Sequence, residues 1–191
     1  SPTELGDVMF EKWKETLLRP SMAAALTPSR KFILGIPGGR SIRPFLHVWR
    51  ARAPEIALED YQRLHIFATD ERWLKPDHAE HNFNQFLNLT GRELAQKKFL
   101  TSGQLHQIGD TGLSIHDASF QYEREVIAAT EARGRMSLII LGLGEDGHIA
   151  SIFPGHTLGR TGLYAAISNA PKPPAQRITA TPLLIESSLE I

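Results

Sequence analysis

The sequence predicts an α/β domain in which a largely parallel sheet is flanked by helices. Short apolar runs alternate with longer segments whose apolar residues recur at helical spacing, and this alternation is typical of strands joined by helical crossovers. Three of the apolar runs are followed by a polar or glycine-rich motif. Because the carboxyl ends of parallel strands share one edge of a sheet, we expect the three motifs to meet there and to form a ligand site.

The elements follow one another without an internal repeat or a low-complexity linker. A first helix is predicted over 4–18, because Leu5, Val8, Met9, Trp13 and Leu17 recur at helical spacing. Further helices are predicted over about 42–52, 83–97 and 114–133. Buried strands are predicted over Phe32–Ile36, Leu64–Ala68 and Ser137–Leu141.

Composition narrows the class of protein. A chain of 191 residues, 41% of them hydrophobic, fits one domain, 1–191, with a real core. Lys and Arg total 21 and balance 21 Asp and Glu, so no basic excess favours a nucleic-acid or membrane surface. The chain has no cysteine, no long apolar run and no signal-peptide pattern at its start. These features fit a cytoplasmic protein without disulfides or thiolate metal sites.

The most informative motif reads Gly-Leu-Gly-Glu-Asp-Gly-His over 142–148 and follows the third predicted strand. The sequence predicts a glycine-rich turn that leads into a helix, with His148 at the end of the turn. Its glycine spacing matches a dinucleotide fingerprint, but that fingerprint needs an acidic residue about 20 positions further on. No Asp or Glu occurs from Gly147 to Ile185, and the segment instead carries the cations Arg160, Lys172 and Arg177. This charge pattern favours a phosphate or another small anion.

The motifs after the first two strands each allow two readings. Gly38-Gly39-Arg40-Ser41 fits a phosphate loop before a helix, or a tight turn with a solvated arginine. Asp70-Glu71-Arg72 fits a site in which one carboxylate faces the ligand while the other holds the loop or orients Arg72, or a charged exposed turn.

Histidines suggest both a catalytic base and a metal ligand. The imidazole of His148 can accept a proton from water near neutral pH, with Asp146 two residues earlier to orient it; otherwise His148 caps a helix. His78 and His81 have the spacing of a metal pair, but no third ligand is indicated, so no metal site is predicted. A serine-esterase mechanism is disfavoured because the Gly-x-Ser-x-Gly motif is absent.

Taken together, the motifs resemble the 6-phosphogluconolactonase family, which is similar in fold to glucosamine-6-phosphate deaminase, ribose-5-phosphate isomerase and CoA transferases. The resemblance implies a Rossmann-like three-layer sandwich. The matching pieces are 38–41, 70–73, Asp77, His78, Asn82, 141–155 and 170–179. The deaminases have a ring-opening glutamate where this chain has Phe153, and usually an aromatic residue where it has Arg72; both differences favour lactone hydrolysis.

The resemblance implies hydrolysis of 6-phospho-D-glucono-1,5-lactone in the oxidative pentose phosphate pathway, with no cofactor, by a monomer or homodimer. The implied catalytic residues are His148, Asp70, Arg72 and Asp146. The implied substrate- and phosphate-binding residues are Gly38, Gly39, Arg40, Ser41, Glu71, Asn82, Lys172 and Arg177. Either Asp70 or Asp146 would orient His148.

The chain also departs from the family pattern. Arg40 stands in a loop that often reads Gly-Gly-Ser-Thr-Pro, Lys75 replaces a usual proline, and His81 replaces a common serine. The resemblance further implies that the domain lacks the family's C-terminal strand and helix. Two other functions stay open: an amino-sugar-phosphate deaminase or sugar-phosphate isomerase, and a non-catalytic sugar-phosphate sensor.

Overall fold

A computed structural model describes residues 1–19, 31–131, 133–159 and 161–191 of the chain. The helices are α1 (Pro2–Leu18), α2 (Arg43–Arg52), α3 (Leu58–Gln62), α4 (Asn82–Phe86), α5 (Arg92–Gln96), α6 (Ile115–Ala129) and α7 (Pro182–Ser187). The strands are β1 (Phe32–Ile36), β2 (Leu64–Ala68), β3 (Asp70–Arg72), β4 (Leu105–His106), β5 (Leu138–Ile139), β6 (Tyr164–Ile167) and β7 (Arg177–Ala180). Short 3₁₀ turns cover Ala53–Glu55 and Ser102–Gln104, and a π-helical turn at Leu87–Gly91 joins α4 to α5.

The main sheet is parallel, as the sequence predicted. Its strands lie in the order β4-β2-β1-β5, and each neighbouring pair runs in the same direction. Side chains of β1 alternate between two cores: Phe32, Leu34 and Ile36 pack with α1 and α2, whereas Ile33 packs with α6 and the second sheet. Layers on both faces of the sheet confirm the predicted α/β architecture.

A second, antiparallel sheet was not predicted from the sequence. It has the order β3-β7-β6, and neither β6 nor β7 was predicted. Asp70–Arg72, expected to be only the polar end of the second strand, forms β3 of this sheet. Thr69 joins the two sheets, because its N–H donates to Ile36 O at 2.9 Å and its carbonyl accepts from Ala180 N at 2.6 Å.

The first helix forms where it was predicted, but only part of the predicted apolar face is buried. Ser1 caps it, accepting from Glu4 N while the Glu4 side chain bonds back to Ser1. Phe10, Trp13 and Leu17 are buried, whereas the predicted face residues Leu5 and Val8 are exposed by 52% and 67%. The helix turns its aromatic side chains inward, against α2.

The segment 147–159 is not helical. Leu143 pairs with Ile149, and Ile149 with Ile152, in isolated antiparallel bridges. The predicted helix start at His148 was therefore wrong, because the backbone folds back on the turn. No helix in the described ranges has the length and apolar character needed to span a membrane.

Candidate active site

The ends of β1, β2 and β5 meet at one cavity, as expected of a parallel sheet. The cavity has a volume of about 450 Å³. Its charged lining consists of Arg40, Arg72, Lys172, Arg177, Asp70, Glu145 and, when protonated, His148. Cations outnumber carboxylates, so the cavity suits a small anionic ligand.

The loop after β1 forms one wall of the cavity. Gly39 has a φ of +86°, a conformation that favours glycine. A Cβ atom on Gly38 would lie 2.0 Å from Cγ of Asn82, so only glycine lets the Asn82 side chain rest there. Arg40 is 87% exposed at the rim, where its guanidinium lies 4.0 Å from Glu145. The loop thus presents backbone and Ser41 to the cavity, with Arg40 at its mouth.

Asp70 lies on the cavity wall and is buried. Its Oδ2 accepts a 2.7 Å hydrogen bond from the Ser151 hydroxyl. Burial raises the pKa of the Asp70 carboxyl, and the Ser151 hydrogen bond and the nearby charges of Arg177, Arg72 and His148 act in the opposite direction. Ser151 was not predicted as a site residue, because it lies in an apolar run and nothing in its spacing links it to a residue 81 positions earlier.

Glu71 does not reach the cavity, so its predicted place among the substrate-binding residues is corrected. Its side chain points away from that of Asp70, as alternation along a strand requires. The carboxylate accepts from the backbone N–H groups of Arg72, Asn82 and Phe83 at 2.7–2.8 Å. It also lies 3.0 Å from His81 Nδ1. Glu71 therefore holds the loop, the other role that the sequence suggested.

Arg72 and Asn82 complete this side of the cavity. Arg72 donates from Nη1 to Glu80 O at 3.0 Å, and its buried Nε has no hydrogen-bond partner within the described part of the chain. Asn82 donates from Nδ2 to Asp70 O at 3.1 Å. Glu80, just before α4, and Asn82, its first residue, therefore both contact strand β3.

His148 and Asp146 form a pair on the turn after β5. Nδ1 of His148 lies 2.5 Å from Oδ1 of Asp146, and Oδ2 of Asp146 lies 3.1 Å from Lys172 Nζ. The hydrogen bond from His148, followed by that from Lys172, lowers the pKa of the Asp146 carboxyl. Nε2 of His148 has no hydrogen-bond partner among the described residues, so it is available to a ligand in the cavity.

The glycine-rich turn shapes this pair. Gly144 N donates to His148 O at 2.8 Å, and Gly147 N donates to Gly144 O at 2.9 Å. Gly147 has a φ of +85°, and a Cβ on Gly144 would lie 2.1 Å from Nδ1 of His148. The two glycines let the backbone close tightly enough for Asp146 to reach the imidazole.

Two cations from the acid-free segment also reach the site. Lys172 lines the cavity, and Arg177 enters it from β7. The Arg177 guanidinium donates to the carbonyls of Lys172, Pro173 and Pro174 at 3.1–3.3 Å. Arg177 thus secures the loop that carries Lys172. Arg160, the third predicted cation, lies outside the described residues.

Phe153 lies between two charged or titratable side chains. Its ring centroid is 4.8 Å from that of His148 and 5.5 Å from the Arg177 guanidinium carbon. The ring is buried and brings no group that could transfer a proton.

The two histidines weighed as metal ligands make other contacts. His78 Nδ1 accepts from Glu80 N, and His81 is buried against Glu71. In the described ranges, no group of three or more His, Asp or Glu side chains could hold a metal ion.

The fold and the cavity define an α/β protein with a cation-lined site at the carboxyl edge of its parallel sheet. The family described as glucosamine-6-phosphate isomerases/6-phosphogluconolactonase matches residues 7–191. The chain therefore belongs to this family.

Named relatives are 6-phosphogluconolactonases. A probable chloroplastic 6-phosphogluconolactonase 3 of Oryza sativa subsp. indica is 34% identical over 172 residues, which are 84% of this chain and 50% of the rice protein. The Mycobacterium tuberculosis 6-phosphogluconolactonase is 31% identical over 181 residues, 90% of this chain and 70% of its own length. The chain thus spans about half the length of the rice relative.

Solved structures share the fold. The Thermotoga maritima 6-phosphogluconolactonase has a TM-score of 0.76 at 30% identity, covering 96% of this chain and 76% of its own. A monomeric glucosamine-6-phosphate deaminase has a TM-score of 0.74 at 14% identity, covering 98% and 76%, which supports the fold alone.

Proposed function

We propose that the chain hydrolyses 6-phospho-D-glucono-1,5-lactone to 6-phosphogluconate. The observation that carries the proposal is the pair of His148 and Asp146 on the wall of a cation-lined cavity, with 2.5 Å between Nδ1 and Oδ1. The relatives named as 6-phosphogluconolactonases support the choice of substrate. A cytoplasmic location and a monomeric or dimeric state stay predictions.

In the proposed reaction, His148 is the general base. Its Nε2 takes a proton from a water molecule while the water oxygen bonds to the lactone carbonyl carbon. The ring C–O bond of the resulting tetrahedral intermediate then breaks. The imidazolium returns its proton to the departing ring oxygen, which regenerates the base.

Asp146 is the carboxylate that we assign to orient His148. It contacts the imidazole directly, whereas Asp70 is engaged by Ser151. A carboxylate on Nδ1 fixes the tautomer in which Nε2 is free to accept a proton, and it stabilises the imidazolium that forms. Asp70, at the other wall, is assigned to hold substrate hydroxyls.

Arg72 is assigned to the charge that develops on the carbonyl oxygen. It lines the cavity, and a guanidinium fixed there stabilises an oxyanion without first having to reorient. Its buried and unpartnered Nε supplies a donor that no described residue uses.

The phosphate is assigned to Lys172 and the loop Gly38–Ser41, with Arg40 at the rim. Arg177 contributes positive charge, since several of its N–H groups are already engaged by backbone carbonyls. The Asn82 side chain packs against Gly38 in the cavity wall. Holding the distant phosphate orients the carbonyl toward His148, so that binding free energy lowers the entropic cost of reaction.

The test is an assay with freshly prepared lactone, coupled to a dehydrogenase and corrected for spontaneous hydrolysis. We expect His148→Ala to lower kcat by about 100-fold or more. His116→Ala, at an exposed position on α6, is the matched control and should retain wild-type rates. Equal rates for a folded His148→Ala variant and the wild type would exclude His148 as the base.

Other outcomes identify the two competing functions. Release of ammonia from glucosamine 6-phosphate would indicate a deaminase, which Phe153 disfavours because its buried ring cannot assist ring opening. Binding of 6-phosphogluconate without turnover of the lactone would indicate a sensor.

A further inference from the structure

The pair of Glu71 and His81 is completely removed from solvent. The side chains of His81 and Glu71 are 0% and 2% exposed. His81 is the N-cap residue of α4, directly before Asn82. A buried carboxylate and imidazole are retained only when their hydrogen-bonding groups are satisfied.

Both ring nitrogens of His81 face acceptors. Nε2 lies 2.6 Å from the carbonyl oxygen of Ile108, which can only accept. Nδ1 lies 3.0 Å from Oε2 of Glu71. A neutral imidazole carries one N–H and would satisfy only one of these two acceptors.

Burial raises the pKa of the Glu71 carboxyl, and the contacts with His81 and with the backbone N–H groups of Phe83 and Asn82 act in the opposite direction. Its two oxygens accept three backbone N–H groups at 2.7–2.8 Å, and such donors favour the ionised carboxylate. Asn84 N also approaches Nδ1 of His81, but at 3.4 Å. The contact with the carboxylate is the shorter of the two, as expected of a charge-assisted hydrogen bond.

We propose that His81 is a positioning residue that, as an imidazolium ion bound to Glu71, fixes Arg72 and Asn82 at the cavity. The two neighbours of His81 in sequence make the connection. Glu80 O accepts the hydrogen bond from Arg72 Nη1 at 3.0 Å. Asn82 donates to Asp70 O and lies against Gly38. His81 lies between Glu80 and Asn82 and holds this stretch of backbone in two places. It contacts β3 through Glu71, and it contacts the segment after β4 through the Ile108 carbonyl.

A serine at this position would cap α4 but could not reproduce this anchor. Its hydroxyl is short and neutral, so it cannot both bind Glu71 as a cation and reach the Ile108 carbonyl. A serine could therefore not set the orientation of Arg72 in the way proposed for His81.

The first experiment is independent of catalysis. Nitrogen-15 NMR of the wild type at neutral pH should show a proton on both ring nitrogens of His81, identified by its loss in His81→Gln. The Arg72 Nε–H resonance, identified with Arg72→Lys, should shift in His81→Gln and stay unchanged in the control His116→Gln. A single protonated nitrogen, or an unshifted Arg72 resonance in a folded His81→Gln protein, would overturn the proposal.

The second experiment rests on the proposed lactone hydrolysis. We expect His81→Gln to lower kcat by about 10- to 100-fold through displacement of Arg72. KM should change less than about twofold, because Lys172, which is assigned to the phosphate, contacts Asp146 and not the segment around His81. In an Arg72→Ala background, His81→Gln should have little further effect, because the two residues act in one unit. Independent, multiplicative effects on kcat would contradict the positioning role.

The two experiments separate this proposal from the proposed function. If the wild-type protein does not hydrolyse the lactone, the proposed function is refuted. The NMR spectra still decide whether His81 is charged and whether it fixes the position of the Arg72 side chain. His81→Ser provides a further comparison, since it keeps a helix cap: we expect it to fold and to lose kcat as His81→Gln does. Wild-type kcat in His81→Ser would refute the need for the cation.

Discussion

Substitution of Gly144 by alanine is the sharpest test of the geometry around His148. The added Cβ would lie 2.1 Å from Nδ1 and 2.2 Å from Cε1 of His148, and 2.8 Å from Oδ1 of Asp146. Ordinary contacts begin at 3.4 Å, so Nδ1 would have to retreat by about 1.3 Å, the difference between 3.4 and 2.1 Å. That displacement breaks the 2.5 Å contact between His148 and Asp146.

The expected loss of activity follows from this displacement. Misplacing a reacting group by about 1 Å can lower the rate about 100-fold, which corresponds to about 2.7 kcal/mol of transition-state stabilisation. Stability should change by less than about 1 kcal/mol, since the turn is at the surface and Gly144 does not have a positive φ.

Two measurements make the test decisive. The coupled lactone assay gives kcat/KM, and urea unfolding gives the free energy of unfolding. Gly103→Ala is the matched control, because Gly103 lies in a 3₁₀ turn outside the cavity and a Cβ there would contact nothing within 4 Å. A Gly144→Ala protein with wild-type kcat/KM would refute the claim that the turn sets the position of His148.

Three further substitutions probe the site and its support. Asp146→Asn should lower kcat by about 100-fold or more at unchanged stability, because a neutral amide cannot stabilise the imidazolium; a wild-type kcat would remove Asp146 from the mechanism. Tyr122→Phe should lower the free energy of unfolding by about 2 kcal/mol, since its hydroxyl accepts from Ala68 N and donates to His106 O; unchanged urea unfolding would contradict this. Burial, with the charges of Lys31 and His106, lowers the pKa of His65 to about 4, so the unfolded chain binds more protons and stability falls as pH drops from 6.5 toward about 4. His65→Gln should weaken that fall in unfolding experiments at both ends of the window, and an identical pH dependence would show that His65 is not its source.

The parallel sheet and the convergence of its loops could be predicted from the sequence. The strands Phe32–Ile36 and Leu64–Ala68 are recognisable as apolar runs, because a strand that is buried on both faces of its sheet consists of nearly continuous apolar residues. Their loops had to meet because parallel strands end at one edge. The resemblance to the family included 141–155, in which strand, turn and histidine occur together, and the family match over residues 7–191 confirms it.

The second sheet could not be predicted, because its strands are short and depend on distant partners. Tyr164–Ile167 and Arg177–Ala180 have only four residues each, and Asp70–Arg72 looks like a charged turn until it pairs with β7. The burial of Glu71 has the same origin. His81 and two of the three backbone donors, Asn82 and Phe83, come from the start of α4. The position of α4 is set by tertiary packing and not by local spacing.

The cavity lies between two sheets that meet at Thr69. The main sheet supplies the loops of Gly38 and His148, whereas the smaller sheet supplies Asp70, Arg72 and Arg177. Proteins open in cooperative units of unequal stability, and we expect the three short strands to form the weaker unit here. An opening confined to that unit would dismantle the cavity while the parallel sheet persists. We therefore expect the protein to stop binding its ligand at a temperature below that at which its main core melts.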